Sequence, residues 1–534
     1  MSDSTSSFTH VQAPTHLPYE IWAHVASFLS SDVLDVNFSF NRAFFHCAMD
    51  ARYRSTRFGE FPNPQAFLAF KRLKDPSLSS RVRDFTYRHE TLPMWMNSSC
   101  AKYKTEAPKG RLWRIRTLST LSTSGQRIGI SEHELIQIIS GMKNLTNLTL
   151  ESHCPTPFLY AIWPTFKASL QSLVLNMLEI PDWFIPSGAI PHLRSLTVHC
   201  SCSCTKGASS NTIHTSLGPY LNAHRDTLQS ITLSVHAQCN LDISLLFKTL
   251  SSFTELTTLS ITQPSLTPSS TTVNGVSSDM AKSLRAFITA RAPNLESLSI
   301  NLYNTLLSSF LSLPPPTTTL QPGFKSLQVQ VSSNEGHGPP VPSTVASLFP
   351  PLCLYLRWHI PTLTRLDLGN VTLSFAQVKV LLQLFQSTTE SKPPTHTEER
   401  EVGFVTHTPL RSLHLAVVEL EPELFVYAST MLPHLQTLGI AYVTLKPNLS
   451  YPRPQENNNG LVGLFRLPTF EFTRAMQAQC YFNHWELEHL HIRPLRHWPW
   501  SSCKETIADV FPRVKTFNGA SRAEYLSSAN MSNI

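Results

Sequence analysis

The sequence predicts an α/β chain in which three short N-terminal helices precede an irregular solenoid of strand-plus-helix units. Three observations carry that expectation. A phrase of the form (Leu/Phe)-x-x-(Leu/Ile)-x-(Leu/Ile/Val) recurs eleven times between Leu145 and Ile492. Stretches with helical apolar spacing lie between the phrases. The 534 residues also exceed the size at which one compact core keeps growing, which favours several domains or an elongated repetitive body.

The first helix is read from LPYEIWAHVASFL, residues Leu17 to Leu29. Pro18 suits the first turn, where its missing N–H costs nothing. Ile21, Val25, Phe28 and Leu29 then recur at helical spacing on one face, with Trp22 beside them. Ser31 and Asp32 suit the start of a second helix carrying Val33, Leu34 and Val36. Asn41 can cap a third that holds Ala43, Phe44, Phe45, Cys47 and Ala48. Three helices of this length cannot bury Phe28, Leu29, Phe38, Phe40, Phe44 and Phe45 among themselves. Each such side chain is worth roughly 1.5–3 kcal/mol when fully buried, so the exposed remainder drives association. The physics leaves its partner open: the rest of this chain, or another protein.

The stretch LPYEIWAHVASFLSSDVLDVNFSFNRAFFHCAMDARYR resembles the F-box, on Leu17, Pro18, Glu20, Ile21, Val25, Phe28, Leu29, Asp32, Leu34 and Phe40. The continuation NRAFFHCAMDARYR is similar to F-box proteins of filamentous fungi. The resemblance covers about 40 residues. It departs from the usual pattern at Ser30, where many F-boxes carry Pro, and at Phe44 or Phe45, where Trp is common. What it implies is a three-helix module that docks on a Skp-type adaptor and, through it, a cullin. The adaptor-binding residues would be Leu17, Pro18, Ile21, Val25, Phe28, Leu29, Leu34 and Phe40.

The recurring phrases run from LTNLTL at Leu145 to LEHLHI at Leu487, with a weaker VRDFTY at Val82 and a possible closing VKTF at Val514. Within each, the last two apolar residues alternate with polar ones and so share one side of a short strand. Helical stretches follow, such as SEHELIQIISGM, with a capping box at Ser131 and Glu134, and SFAQVKVLLQLF, starting on Ser374. Strand plus helix at a repeated interval marks a leucine-rich-repeat-like horseshoe, whose units bury their apolar faces only by stacking. Intervals between first positions are 25, 23, 35, 28, 39, 29, 39, 47, 25 and 52 residues. The short ones lie in or near the repeat class's range. The long ones contain Pro/Ser/Thr/Asn-rich stretches near 262–279, 331–344, 387–408 and 446–461, which are expected as loop insertions. The repeat's usual asparagine, three residues after the last apolar position, is absent; Val371 stands there after Leu368. A distorted solenoid is therefore expected. An ordinary α/β domain with chance phrases is the alternative.

The domain plan that follows is a disordered leader at 1–14, the three-helix module at 15–58, a basic linker and N-terminal cap at 59–130, and the solenoid at 131–534.

Composition narrows the function. No basic start and apolar run resembles a signal peptide, and no apolar segment is long enough to span a bilayer, so a soluble protein of cytoplasm or nucleus, without a membrane partner, is expected. Ten scattered cysteines then read as reduced thiols, and the sequons at Asn97, Asn144 and Asn147 as silent. Of the formal charge of +7, residues 52–116 alone carry fifteen Lys/Arg against five Asp/Glu. Their dispersal among Pro, Phe and Leu, without an RNA- or DNA-binding motif, favours a solvated basic surface over nucleic-acid binding.

Chemistry-bearing patterns are sparse. His199, Cys200, Cys202 and Cys204 form a metal-like run, but the second ligand pair of a structural zinc site is missing. EHEL at Glu132 lacks the second His of a zinc-protease helix, and no phosphate-cradling or nucleophile-elbow motif occurs. WPW at Trp498 to Trp500 is expected to cap the solenoid's open end. No cofactor, metal or catalytic residue is expected.

The leading expectation is thus what the resemblance implies: a non-catalytic substrate receptor of an SCF-type (Skp adaptor, cullin, F-box) ubiquitin ligase. An unknown protein target would lie on the strand face, where Thr149, Thr197, Thr232, Ser260, Asp367 and His414 are the candidate contacts. The alternative is a binding scaffold outside ubiquitination; an enzyme or nucleic-acid binder using the basic segment is a third.

Overall fold

The computed structural model describes residues 18–37, 39–58, 64–89, 120–121, 127–128, 132–152, 163–166, 168–177, 190–200, 211–235, 243–263, 273–314, 323–332, 342–386, 408–446, 467–479, 482–495 and 503–530. Two compact units divide the chain: residues 1–179 with 186–193, and residues 180–185 with 194–534.

The first unit opens with helices α1 (Tyr19–Ser27), α2 (Ser31–Asn37) and α3 (Arg42–Arg54). Pro18 sits at the N-cap of α1, one position earlier than its sequence context suggests, and its carbonyl accepts from Ile21 N and Trp22 N. Asn41 caps α3, its side chain accepting from Phe44 N at 3.0 Å. The small interior consists of Ala26, Leu34, Phe44 and Ala48, with Trp22, Leu29 and Cys47 partly buried against it. Trp22 meets Phe40 and Phe44 edge-on, at centroid distances of 5.4 and 5.9 Å.

Helix α3 runs without a linker into strand β1 (Ser55–Phe58). β1 pairs in parallel with β2 (Asp84–His89), β2 with β5 (Asn147–Ser152), and β5 with β6 (Ser172–Met177). The sheet therefore reaches back to Ser55, inside the stretch read as the three-helix module, whereas the repeat phrases alone place the solenoid's start near 131. β1 escapes the phrase search because its four residues STRF carry one apolar side chain. Phe58 nevertheless stacks on Tyr87 at 5.6 Å and packs against Phe70 at 5.0 Å. A separate short antiparallel pair joins β3 (Thr120–Leu121) to β4 (Arg127–Ile128).

The second unit is the regular part. Strands β7 (Ser195–Cys200), β8 (Ser230–Val235), β9 (Thr258–Gln263), β10 (Ser297–Leu302), β11 (Ser326–Val331), β12 (Arg365–Leu373), β13 (Ser412–Leu420), β14 (Thr437–Leu445), β15 (His489–Pro494) and β16 (Thr516–Phe517) pair with their sequence neighbours in parallel. Helices between successive strands, such as Val273–Arg291, Pro342–Arg357 and Phe375–Leu384, complete the units. The α/β repeat architecture expected from the phrases is thus observed.

Each phrase does three jobs. Its first apolar residue, from Leu228 to Leu487, is buried at the turn; its last two, such as Leu259 and Ile261 of β9, are buried on the helix-facing side of the strand. Its second residue stacks the repeats: the carbonyl of Gln229 accepts from both Thr257 N and Thr258 N, Thr257 O from Glu296 N and Ser297 N, and Glu296 O from Lys325 N and Ser326 N. The same pairing continues to Lys515 N and Thr516 N on Glu488 O. Every repeat thereby satisfies the turn donors of the next, which explains how intervals of such different length keep one register.

Two stretches expected as loop insertions contain helix. Helix Val273–Arg291 begins inside 262–279, and helix Pro342–Arg357 inside 331–344. The first escapes detection because the apolar spacing Met280, Leu284, Phe287 and Ile288 starts about two turns after Val273 in the sequence. In the second, Pro342 is the first helical residue, a position proline favours. Residues 387–407 and 447–461, the leader 1–14 and WPW at 498–500 lie outside the described residues.

Ser374 forms a complete capping box with Gln377. Ser131 lies outside the described residues; Glu134 pairs with Lys74. The missing repeat asparagine is replaced at β12 by Asn370, one position earlier than the pattern. Its Oδ1 accepts from Val331 N and its Nδ2 donates to Val331 O, both at 2.9 Å.

The C-terminal closure is a hairpin. β16 turns through Asn518 and Gly519, at φ of 52° and 84°, into the antiparallel β17 (Ala520–Ser521). Two residues of positive φ make the tight turn whose twist matches a right-handed hairpin. Helix Arg522–Asn530 follows and lays Tyr525 on Phe517, ring centroids 4.9 Å apart. Among the described residues, no helix is long and apolar enough to cross a membrane.

Candidate functional site

Two surfaces stand out, one in each unit. The first is the outer side of α1–α3. Helical spacing that places Ala26 inward leaves Ile21, Val25 and Phe28 outward, and the α2–α3 turn adds Phe40. Their exposures are 47%, 40%, 76% and 65%. Val33, Val36 and Phe45 are exposed as well. An apolar set of this size is far from the single scattered side chains normal on a surface. Phe28 meets the His24 ring edge-on at 4.9 Å.

Of the residues the sequence assigns to adaptor contact, Pro18, Ile21, Val25, Phe28 and Phe40 are exposed, and Leu29 is half-buried. Leu34 is 5% exposed and belongs to the module's interior beside Ala26 and Phe44. It supports the face from within rather than forming it, because α2 packs across α3. Leu17 and Phe38 lie outside the described residues.

The second surface is the sheet face opposite the helices. Strand alternation puts the first, third and fifth residues of each strand there. In the second unit the third positions align in register: Thr197, Thr232, Ser260, Ser299, Gln328, Asp367, His414, Gly439 and His491. Five of the residues read from sequence fall in this row, Thr197 and Thr232 adjacent, then Ser260, then Asp367 beside His414. Thr149 occupies the matching position of β5 in the first unit, opposite Thr86 and Val174. All six are half-buried by their cross-strand neighbours.

The middle of the row is linked by side-chain hydrogen bonds. Ser299 Oγ donates to Gln328 Oε1 at 2.9 Å, and Gln328 Nε2 donates to Asp367 Oδ2 at 3.2 Å. Asp367 Oδ1 also accepts from Gly369 N at 2.9 Å. His414 leans over Gly439, where a Cβ would lie 2.2 Å from its Nδ1, and stacks on His491 at 6.1 Å. Gly439 is the position where only glycine leaves room for that ring. Burial pushes the His414 pKa below the ordinary imidazole range, against the pull of Asp367 and with the help of Arg365 and His491. His491 is lowered by burial and by His489. Both rings are therefore neutral at neutral pH.

Sequence reasoning missed Ser299, Gln328, Gly439 and His491. The signal was available: each is the fifth residue of its own phrase, the same position as Thr232 and Ser260.

Metal-ligating chemistry is not assembled. Among the described residues, no three His, Cys, Asp or Glu side chains are placed to share an ion. Burial pushes the Cys200 thiol pKa up to about 12; Cys202 and Cys204 lie outside the described residues.

No family model matches the sequence, and no curated protein matches it. Among solved structures, the chain is similar to a Bacteroides fragilis protein determined as a structural-genomics target, at 14% identity and a TM-score of 0.27. That match covers 48% of this chain and 61% of the other.

Proposed function

We propose that this chain is the substrate-recognition subunit of an SCF-type ubiquitin ligase. In this reading α1–α3 act as an F-box, hold a Skp-type adaptor and through it a cullin, and the solenoid's strand face binds a protein target. The observation that carries the reading is the outward apolar set Ile21, Val25, Phe28 and Phe40 on three short helices. Scaled by their exposures, burying these four side chains is worth roughly 3–7 kcal/mol before the cost of association. A partner with a matching apolar groove gains that energy, and nothing in the described part of the chain covers the face. The resemblance at Leu17 to Phe40 selects the adaptor as that partner.

The mechanism is proximity. A target on the strand face and a charged ubiquitin-conjugating enzyme on the cullin share one assembly, so the effective concentration of target lysines near the enzyme rises. The reading assigns this chain no catalytic residue. Its target face is polar and half-buried, suited to backbone and side-chain hydrogen bonds with a docked segment.

The test is affinity capture of the chain and of an Ile21→Asp, Phe28→Asp variant, with folding checked by thermal denaturation. Recovery of a Skp-type adaptor and a cullin with the parent alone supports the reading. Equal recovery with a still-folded variant, or recovery of neither protein, refutes it. Recovery of the adaptor without the cullin favours a scaffold outside ubiquitination.

A further inference from the structure

The strand face of the second unit is chemically divided. On β8 to β11 its outward positions hold only Ser, Thr, Asn and Gln, with no ionisable group. On β12 to β15 the same rows carry Arg365, Asp367, His414, His489, His491 and Arg493. Arg365 and Arg493 are exposed and make no ion pair among the described residues. Asp367, the one acid in these rows, has its oxygens turned to Gln328 and to Gly369 N. Glu488, just before β15, pairs with Lys515 and lies 3.9 Å from His489 Nε2, and Glu419, further along β13, pairs with Lys446. The four strands thus offer two unneutralised guanidinium groups and three imidazoles across about 14 Å, at the usual strand spacing.

From this charge complementarity we infer that the β12–β15 face binds an extended, carboxylate-rich segment of a protein partner. The inference rests on reading the strand face as the target-binding surface, and it names that target's chemistry. The segment's backbone runs across the strands, its carboxylates meet Arg365 and Arg493, and the His414–His491 pair lies beneath it. The hydroxyl rows of β8–β11 continue the track with neutral hydrogen-bonding groups. Because both rings are neutral at neutral pH, an arriving carboxylate favours their protonation, and binding takes up protons. Affinity therefore rises as pH falls through the imidazole range. The groups facing His414 are Asp367 and Arg365 on β12 and His489, His491 and Arg493 on β15; β14 contributes Thr437 and Gly439, neither ionisable.

The experiment is fluorescence anisotropy of the full chain with a labelled peptide alternating glutamate and serine, at about 50 mM salt, at about pH 6 and about pH 7.5. The expected result is saturable binding, tighter at the lower pH, and weakened about tenfold by Arg365→Gln with Arg493→Gln. Removing two positive charges from the helices instead, Lys282→Gln with Arg357→Gln, leaves it unchanged. No saturable binding, equal weakening by both charge-removal pairs, or displacement of the peptide by an oligothymidylate at lower concentration than by unlabelled peptide overturns the inference. Adaptor capture is read separately: loss of peptide binding with capture retained sinks this inference alone, and the converse sinks the F-box reading alone.

Discussion

Phe28 and Leu34 are both apolar members of the N-terminal helices and both belong to the pattern that suggested an adaptor surface, yet the structure exposes the first and buries the second. Phe28 is 76% exposed and Leu34 is 5% exposed. Leu34→Ala removes three carbons from the small interior formed with Ala26, Phe44 and Ala48, and is expected to cost about 2–5 kcal/mol of folding stability. Phe28→Ala removes a ring that is mostly exposed and meets the His24 ring, and is expected to change stability by no more than about 0.5 kcal/mol. Binding reverses the order. Burying the exposed three-quarters of Phe28 contributes roughly 1–2 kcal/mol, so its loss weakens adaptor affinity about 5- to 30-fold. The assay pairs thermal denaturation of each variant with titration calorimetry against purified Skp-type adaptor. A Phe28→Ala protein that melts as early as Leu34→Ala would place Phe28 in a core. A stable one with undiminished affinity would remove the outer face of α1 from the interface.

Asn370→Ala leaves both Val331 N–H and C=O without their side-chain partner, and is expected to cost about 2–4 kcal/mol, read from the denaturant midpoint. Asn370→Asp keeps the acceptor alone and should fall between. Gly519→Ala meets no atom within 4 Å but holds a side chain at φ 84°, so its cost of about 1 kcal/mol is purely backbone strain and should be unaffected by the size of the substituent. Burial depresses the pKa of His199, His224, His414 and His491. In each case the unfolded chain takes up a proton at higher pH than the folded one. Stability is therefore fully present above the ordinary imidazole pKa and is lost as pH falls through it toward the depressed values. The melting temperature should drop between about pH 7 and about pH 5, and His224→Gln, which removes the most buried ring, should flatten that drop.

The phrases made the parallel sheet legible because each apolar residue in them has a separate packing duty, and chance rarely repeats three such duties together. What stayed hidden had no apolar signature of its own. β1 carries only Phe58 inward, and helix Val273–Arg291 opens on VNGVSSD, with two apolar residues in seven. The C-terminal hairpin was written in Asn518-Gly519, a pair that tolerates positive φ, but its two-residue strands are too short for any alternation to show. After that hairpin, Tyr525 lies on Phe517, a contact between two single aromatics that no spacing in the sequence announces. The strand-face row was half legible. Alternation gives which residues point outward, but only register brings Gln328, Asp367 and His414 side by side from phrases 39 and 47 residues apart.

The junction of α3 with β1 bears on how a tethering protein of this kind would work. Effective concentration depends on the span and stiffness of the connection between two sites. Here the connection from the apolar face to the first strands has no free linker: α3 ends at Arg54 and β1 begins at Ser55. Arg81, in the turn before β2, secures the joint. Its guanidinium pairs with Asp50, reaches His46 O at 3.3 Å and His46 Nδ1 at 2.9 Å. Arg54 O in turn accepts from Arg83 N at 2.9 Å. Rotation of α3 about the β1 junction would break all of these contacts at once. A partner seated on Phe28 and Phe40 is thus held at a set angle to β1 and β2 rather than swinging on a tether, so in the first unit the orientation of the bound partner is a property of the fold.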